Sequence, residues 1–187
     1  MRFFIALSIP EKNRIELKHV QNEIKQIIPH LKMTDPDKLH LTIAFIGDQP
    51  DQFQYGLTET LKQAVVGIPE FEVTPGYIDG FPTLHNPHVL WIGVKDEVDK
   101  LFILRERIKD SLVNLDQPVD ERRYIPHIAF AKVAHLQLSP LQERQFEEIM
   151  SRPFSPLIIS EIKLFESIPN HGFHQHNTLA TIPLERS

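Results

Sequence analysis

None of the 187 residues is a cysteine, which excludes a disulfide framework, a thiol nucleophile and a thiolate zinc site. Long apolar runs are missing as well. The opening MRFFIALSIPEKNR turns charged after a short hydrophobic stretch, with no leader-type core and cleavage site. No segment has the apolar length of a membrane span, so the chain reads as cytoplasmic with no membrane partner. Positive charge is in deficit, with 20 Lys and Arg against 25 Asp and Glu, a formal net charge of −5. That excludes a general duplex binder working through its global field, but not an enzyme that grips one phosphate through a local patch. Low-complexity tracts, heptad arrays and short tandem repeats are also absent.

What is present belongs to a globular protein. Apolar residues make up 41% and charged residues 24%, and the length fits a single domain, residues 1–187, built of two closely packed lobes. Their approximate extents are the halves 1–94 and 95–187. RFFIALSIP (2–10) predicts a strand ended by Pro10, and Leu17, Val20, Ile24 and Ile27 predict an amphipathic helix over 11–28. KLHLTIAFIGD (38–48) reads as a strand, followed by a helical stripe through Phe53, Leu57, Leu61 and Val65. Strands are predicted at 71–81, 88–94, 122–132, 157–167 and 178–184, and a further helix at 98–115. Ser139-Pro140-Leu141-Gln142 has the form of a capping box opening a helix to Met150. The strands come in neighbouring groups with short turns. The expected fold class is therefore α+β, with antiparallel sheets and helices packed outside.

Two strands carry a histidine among apolar residues. In HLTIAFIG, strict alternation puts His40, Thr42, Ala44 and Ile46 on one face and Leu41, Ile43 and Phe45 on the other. YIPHIAFAK repeats the pattern, with His127, Ala129 and Ala131 on one face and Ile128 and Phe130 behind them. Two pseudo-symmetric lobes offering one histidine strand each to a central cleft is one geometric reading. Two unrelated, partly buried histidines in a chain with ten of them is the other.

HLTIAFIG resembles the first H-x-T-x motif of the 2H phosphoesterases, and in particular of the RNA 2′,3′-cyclic phosphodiesterases also described as 2′-5′ RNA ligases. RRYIPHIAFAK is similar to the second motif: arginine, an aromatic, proline, H-x-T, then a basic residue five places after the histidine. Those positions are Arg122, Tyr124, Pro126, His127 and Lys132. FFIALSIP and VLWIGV resemble the family's opening and middle strands. One position departs: the second motif's hydroxyl is replaced by Ala129.

The resemblance implies hydrolysis of a terminal 2′,3′-cyclic phosphate to a 2′-phosphomonoester without metal or cofactor. His40 would be the proton donor and His127 the proton acceptor, roles that an imidazole suits because its pKa of about 6.5 lies near working pH. Thr42 would donate to a phosphate oxygen, and Lys132 would be a second phosphate contact. Alternation turns Lys132 away from His127, so a bend near Ala131 is required. Arg122 is a candidate for RNA phosphates and Tyr124 for stacking on a base. The implied partners are RNA ends or nucleotides bearing a 2′,3′-cyclic phosphate, met by a monomer. A ligase or another cyclic-phosphate phosphodiesterase of the superfamily, and a non-catalytic RNA-end binding module, are the competing readings. His171, His174 and His176 in HGFHQH are weighed as metal ligands and read instead as loop residues.

Overall fold

Strands and helices fall close to where hydrophobic periodicity predicts them. The computed structural model describes residues 1–115, 123–170 and 173–186, with the backbone alone at 170, 173 and 174. In chain order the elements begin with β1 (Arg2–Ser8), α1 (Glu11–Ile27), β2 (Lys32–Met33), β3 (His40–Asp48) and α2 (Phe53–Ala64). β4 (Phe71–Phe81), β5 (Val89–Asp96), α3 (Val98–Val113) and β6 (His127–Lys132) follow. α4 (Pro140–Met150), β7 (Leu157–Ile159), β8 (Glu161–Asn170) and β9 (Phe173–Pro183) close the chain. No helix among the described residues is long and apolar enough to cross a membrane.

Local chemistry accounts for several boundaries. Ser139 Oγ accepts from Gln142 N at 3.1 Å while Gln142 Oε1 accepts from Ser139 N at 3.0 Å, a reciprocal cap that starts α4. β6 begins only at His127, because Pro126 has no N–H to give a ladder. LIISEIKLFES is two strands rather than one. Leu157 and Ile159 bury in one sheet, and Ile162 and Leu164 in the other.

The fold is α+β, with two sheets ordered β3-β1-β8-β9 and β2-β6-β5-β4-β7. Every ladder between these strands is antiparallel. α2 and α3 pack together against the first sheet, α1 and α4 against the second, and β3 meets β6 where the sheets adjoin. The lobes are thus not the consecutive halves 1–94 and 95–187. β8 pairs with β1, which returns the C-terminal hairpin to the N-terminal sheet. Sequence order does not reveal such a pairing, because it depends on which apolar edges find each other in three dimensions.

Strict alternation fails on both histidine strands, at the same place. In the β1–β3 ladder Ala6 faces Thr42 and Ile5 faces Ala44, which leaves Ile43 as an extra residue. In the β5–β6 ladder Trp91 faces Ala129 and Leu90 faces Ala131, which leaves Phe130 as the extra residue. Each of these bulges lies three residues after its histidine, and just beyond it the side-chain parity is inverted, until a second shift at Ile46 on β3. Phe45 therefore aligns with Phe4 on the His40 side and is 56% exposed, whereas Ala44 and Ile46 are buried. Lys132 aligns with Val89, two residues from Trp91, and so returns to the side of Ala129 and His127. The bend that Lys132 requires is this bulge.

Candidate active site

The two histidines are held in matching ways. His40 Nδ1 lies 2.9 Å from the Lys38 carbonyl and His127 Nδ1 lies 2.7 Å from the Ile125 carbonyl, two residues upstream in each case. A carbonyl only accepts, so in both rings Nδ1 carries the hydrogen and donates it. Nε2 is left as the nitrogen that can take or give a proton. Burial pushes both imidazoles below their ordinary pKa of 6.5. For His40, the hydrogen bond to Lys38 opposes that shift and positive charge on His127 adds to it, so the two rings are within electrostatic reach of one another.

Aromatic rings wall each histidine. Around His40 stand Phe4 (ring centroids 5.4 Å), Phe165 (6.4 Å) and His176, edge-on at 4.9 Å. Phe4 and Phe165 are themselves stacked at 5.1 Å. Around His127 stand Phe81, edge-on at 5.1 Å, and Trp91 at 5.5 Å. A recess of about 400 Å³ opens beside His40, lined by Ser8, Lys38, Lys163, Phe165, His176 and Thr178 among others. Another, of about 560 Å³, opens beside Pro126 and is lined by Tyr77, Lys109, Arg123 and Tyr124 among others.

Thr42 is only 9% exposed and faces Ala6 on the His40 side of the sheet. Lys132 is exposed on the His127 side. Tyr124 is not free to stack on a base. Its hydroxyl donates to the Thr42 carbonyl at 2.8 Å, its ring meets Phe102 edge-on at 5.6 Å, and the Arg105 guanidinium lies 4.5 Å from its centroid. Burial holds that phenol far above its ordinary pKa of 10.0, outweighing the opposing pull of Arg105. Proline at 126 biases Ile125 toward an extended conformation, and the hydrogen bond to the Thr42 carbonyl holds Tyr124 inward. Arg122 lies outside the described residues.

Of the three C-terminal histidines, His171 and the His174 side chain lie outside the described residues. His176 joins the ring cluster at His40, because β8 and β9 extend as a hairpin into the stretch read as a loop. Among the described residues no three metal-ligating side chains come together. Sequence reasoning also missed Tyr77, whose ring covers Gly93 directly opposite His127. A Cβ on Gly93 would collide with that ring. Gly93→Ala is therefore expected to destabilise the fold by about 1–3 kcal/mol in urea unfolding, as overpacking does. In a Tyr77→Ala background the cost should largely vanish.

Two antiparallel sheets thus adjoin along a pair of bulged histidine strands. The chain belongs to the 2′-5′ RNA ligase superfamily, whose family model matches residues 17–168. It is 26% identical over 170 residues to the RNA 2′,3′-cyclic phosphodiesterase of Methanocaldococcus jannaschii, covering 89% of this chain and 91% of that protein. With the enzyme of the same name from Bacillus subtilis the identity is 30% over 132 residues, covering 70% of each chain. Among solved structures, the TT0787 protein of Thermus thermophilus superposes with a TM-score of 0.78 at 19% identity, covering 100% of this chain and 99% of that one. E. coli LigT complexed with 3′-AMP gives 0.77 at 20% identity, covering 98% and 97%.

Proposed function

We propose that this protein is an RNA 2′,3′-cyclic phosphodiesterase that opens a terminal 2′,3′-cyclic phosphate to a 2′-phosphomonoester by metal-independent acid–base catalysis. The observation that carries this reading is the matched pair of histidines, each with Nδ1 committed to a backbone carbonyl and Nε2 left to exchange a proton. His127 Nε2 takes a proton from the attacking water, and the new P–O bond forms on the face opposite the ribose 3′ oxygen. His40 Nε2–H gives its proton to that oxygen as the P–O3′ bond breaks. Thr42 donates to one phosphate oxygen, and Lys132, carried round by the bulge at Phe130, offsets charge on another. A relative named for this activity aligns over 89% of the chain, and both histidines come from one polypeptide, so a monomer suffices.

Catalysis needs one imidazole neutral and the other charged. Both pKa values are below 6.5 in the free protein. Above both of them the fraction carrying a single proton falls tenfold per pH unit; below both, the base is lost. The expected profile of kcat/KM is a bell with its maximum on the acid side of 6.5. The kcat optimum lies higher, because a bound phosphate anion favours imidazolium.

The direct assay uses an RNA oligonucleotide ending in a 2′,3′-cyclic phosphate, with products resolved as 2′- and 3′-phosphates. The 2′-phosphate alone is expected. Joined RNA ends would support a ligase, binding without turnover would support an RNA-end module, and a rate flat from about pH 5 to about pH 9 would exclude the paired-histidine mechanism.

A further inference from the structure

Each bulge that aims a histidine strand is pinned by a buried polar side chain from the helix behind its sheet. Gln21 of α1, 3% exposed, donates through Nε2 to the Phe130 carbonyl at 3.1 Å and to the Thr34 carbonyl at 2.8 Å. Arg105 of α3, 7% exposed, donates through Nη1 to the Ile43 carbonyl at 2.5 Å. Both satisfy the carbonyl of the extra residue, a group that would be costly to bury unpaired.

The two pins differ in chemistry. A neutral carboxamide is sufficient at Phe130, and burying a guanidinium for the same task at Ile43 carries a far larger desolvation cost. What Arg105 adds is its second face. Its guanidinium lies over the Tyr124 ring at 4.5 Å, and the Tyr124 hydroxyl donates to the carbonyl of Thr42, next to the bulge. Tyr124 stands three residues before His127, on the segment that leads into β6. Thr42 stands two residues after His40, on β3. The contact therefore runs from the strand of one histidine to the strand of the other, across the seam between the sheets.

We propose that Tyr124 and Arg105 form a positioning clasp that sets His40 and His127 at their working separation, with neither side chain touching the substrate. Resting on the phosphodiesterase reading, the clasp makes a distinct claim: it supplies geometry, so its loss should slow turnover with little effect on substrate affinity. A small misplacement of acid and base is costly because both must reach one phosphorus centre together.

Tyr124→Phe removes only the hydroxyl, and Arg105→Met keeps the stem while removing the guanidinium. With the cyclic-phosphate RNA, Tyr124→Phe is expected to lower kcat about tenfold or more and to leave KM within about twofold. Arg105→Met should lose at least as much, and the double variant little more than Arg105→Met alone, since the two act as one unit. Arg105→Lys, which can still reach the Ile43 carbonyl, should recover part of the Arg105→Met loss.

A readout independent of turnover is NMR titration of His40. In the otherwise unmodified protein His127→Ala should raise the His40 pKa by removing the repelling charge. In Tyr124→Phe the same change should have a smaller effect, because the rings stand further apart. Tyr124→Phe with unchanged kcat and unchanged coupling would overturn the proposal. So would a loss confined to KM, which would make Tyr124 a substrate contact. If the unmodified protein turns over no cyclic phosphate, the activity reading fails, and the coupling measurement alone decides the clasp.

Discussion

His40→Ala and His127→Ala should each slow hydrolysis of a terminal 2′,3′-cyclic phosphate by about 10²–10⁴-fold, the usual weight of a general acid or base. The double variant should be scarcely slower than the worse single one, because proton delivery and removal serve the same step. The pH dependence separates the roles. Without the base at position 127 the acid-side fall of the profile disappears, and without the acid at position 40 the alkaline-side fall does. An activated aryl phosphodiester sharpens the contrast, since its leaving group departs without protonation. His40→Ala should keep most of its rate on that substrate, whereas His127→Ala should not. The His40 ring is packed against Phe4 and His176, so a melting curve must accompany its replacement. If either variant keeps more than about a tenth of the original rate while folded, a two-histidine mechanism is wrong for this protein. If the two aryl rates come out reversed, the acid and base exchange places.

The paired histidine strands are legible in the chain because their signal is local. A histidine sits on a short strand with small or hydroxyl neighbours, and the pattern occurs at both His40 and His127. The helices and most strands are legible for the same reason, each having one apolar stripe or alternation. The bulges are not. In Thr42-Ile43-Ala44-Phe45 and Ala129-Phe130-Ala131-Lys132, apolar residues occupy both parities, so either alternation reads plausibly. What selects the bulged register is distant in sequence: the side chains of Arg105 and Gln21 reach the Ile43 and Phe130 carbonyls from helices elsewhere in the chain. The inward turn of Tyr124 depends on Thr42, 82 residues away. His176 reads as a loop residue because the polar run around it gives no strand signal, and β9 takes its conformation from pairing with β8. Local physics thus names the candidate groups, and long-range hydrogen bonds decide where they point.

Thr42 should prove more costly to lose than a motif hydroxyl ordinarily is, because Ala129 leaves it without a counterpart. Thr42→Val keeps the volume and the strand preference and removes only the donor. With one transition-state donor gone and none at position 129 to share the load, the expected loss is on the order of 10²–10³ in kcat. Lys132 is a second group proposed to meet the phosphate, and it acts differently. It is exposed, so its charge works through screened solvent, and Lys132→Ala should cost about tenfold at low ionic strength and less as salt rises. Loss of Thr42, by contrast, should be nearly insensitive to salt. Ala129→Thr tests the asymmetry from the other side. Plain alternation ahead of the bulge keeps position 129 on the face of His127, opposite Trp91, so a hydroxyl there enters where the missing one would have been. In the Thr42→Val background that substitution should restore part of the lost rate, and in the unmodified protein it should add little. Should Thr42→Val retain more than about a third of the activity, the developing charge on phosphorus is met by backbone N–H groups or by Lys132. The threonine would then serve mainly as a buried strand residue, whose own carbonyl anchors Tyr124.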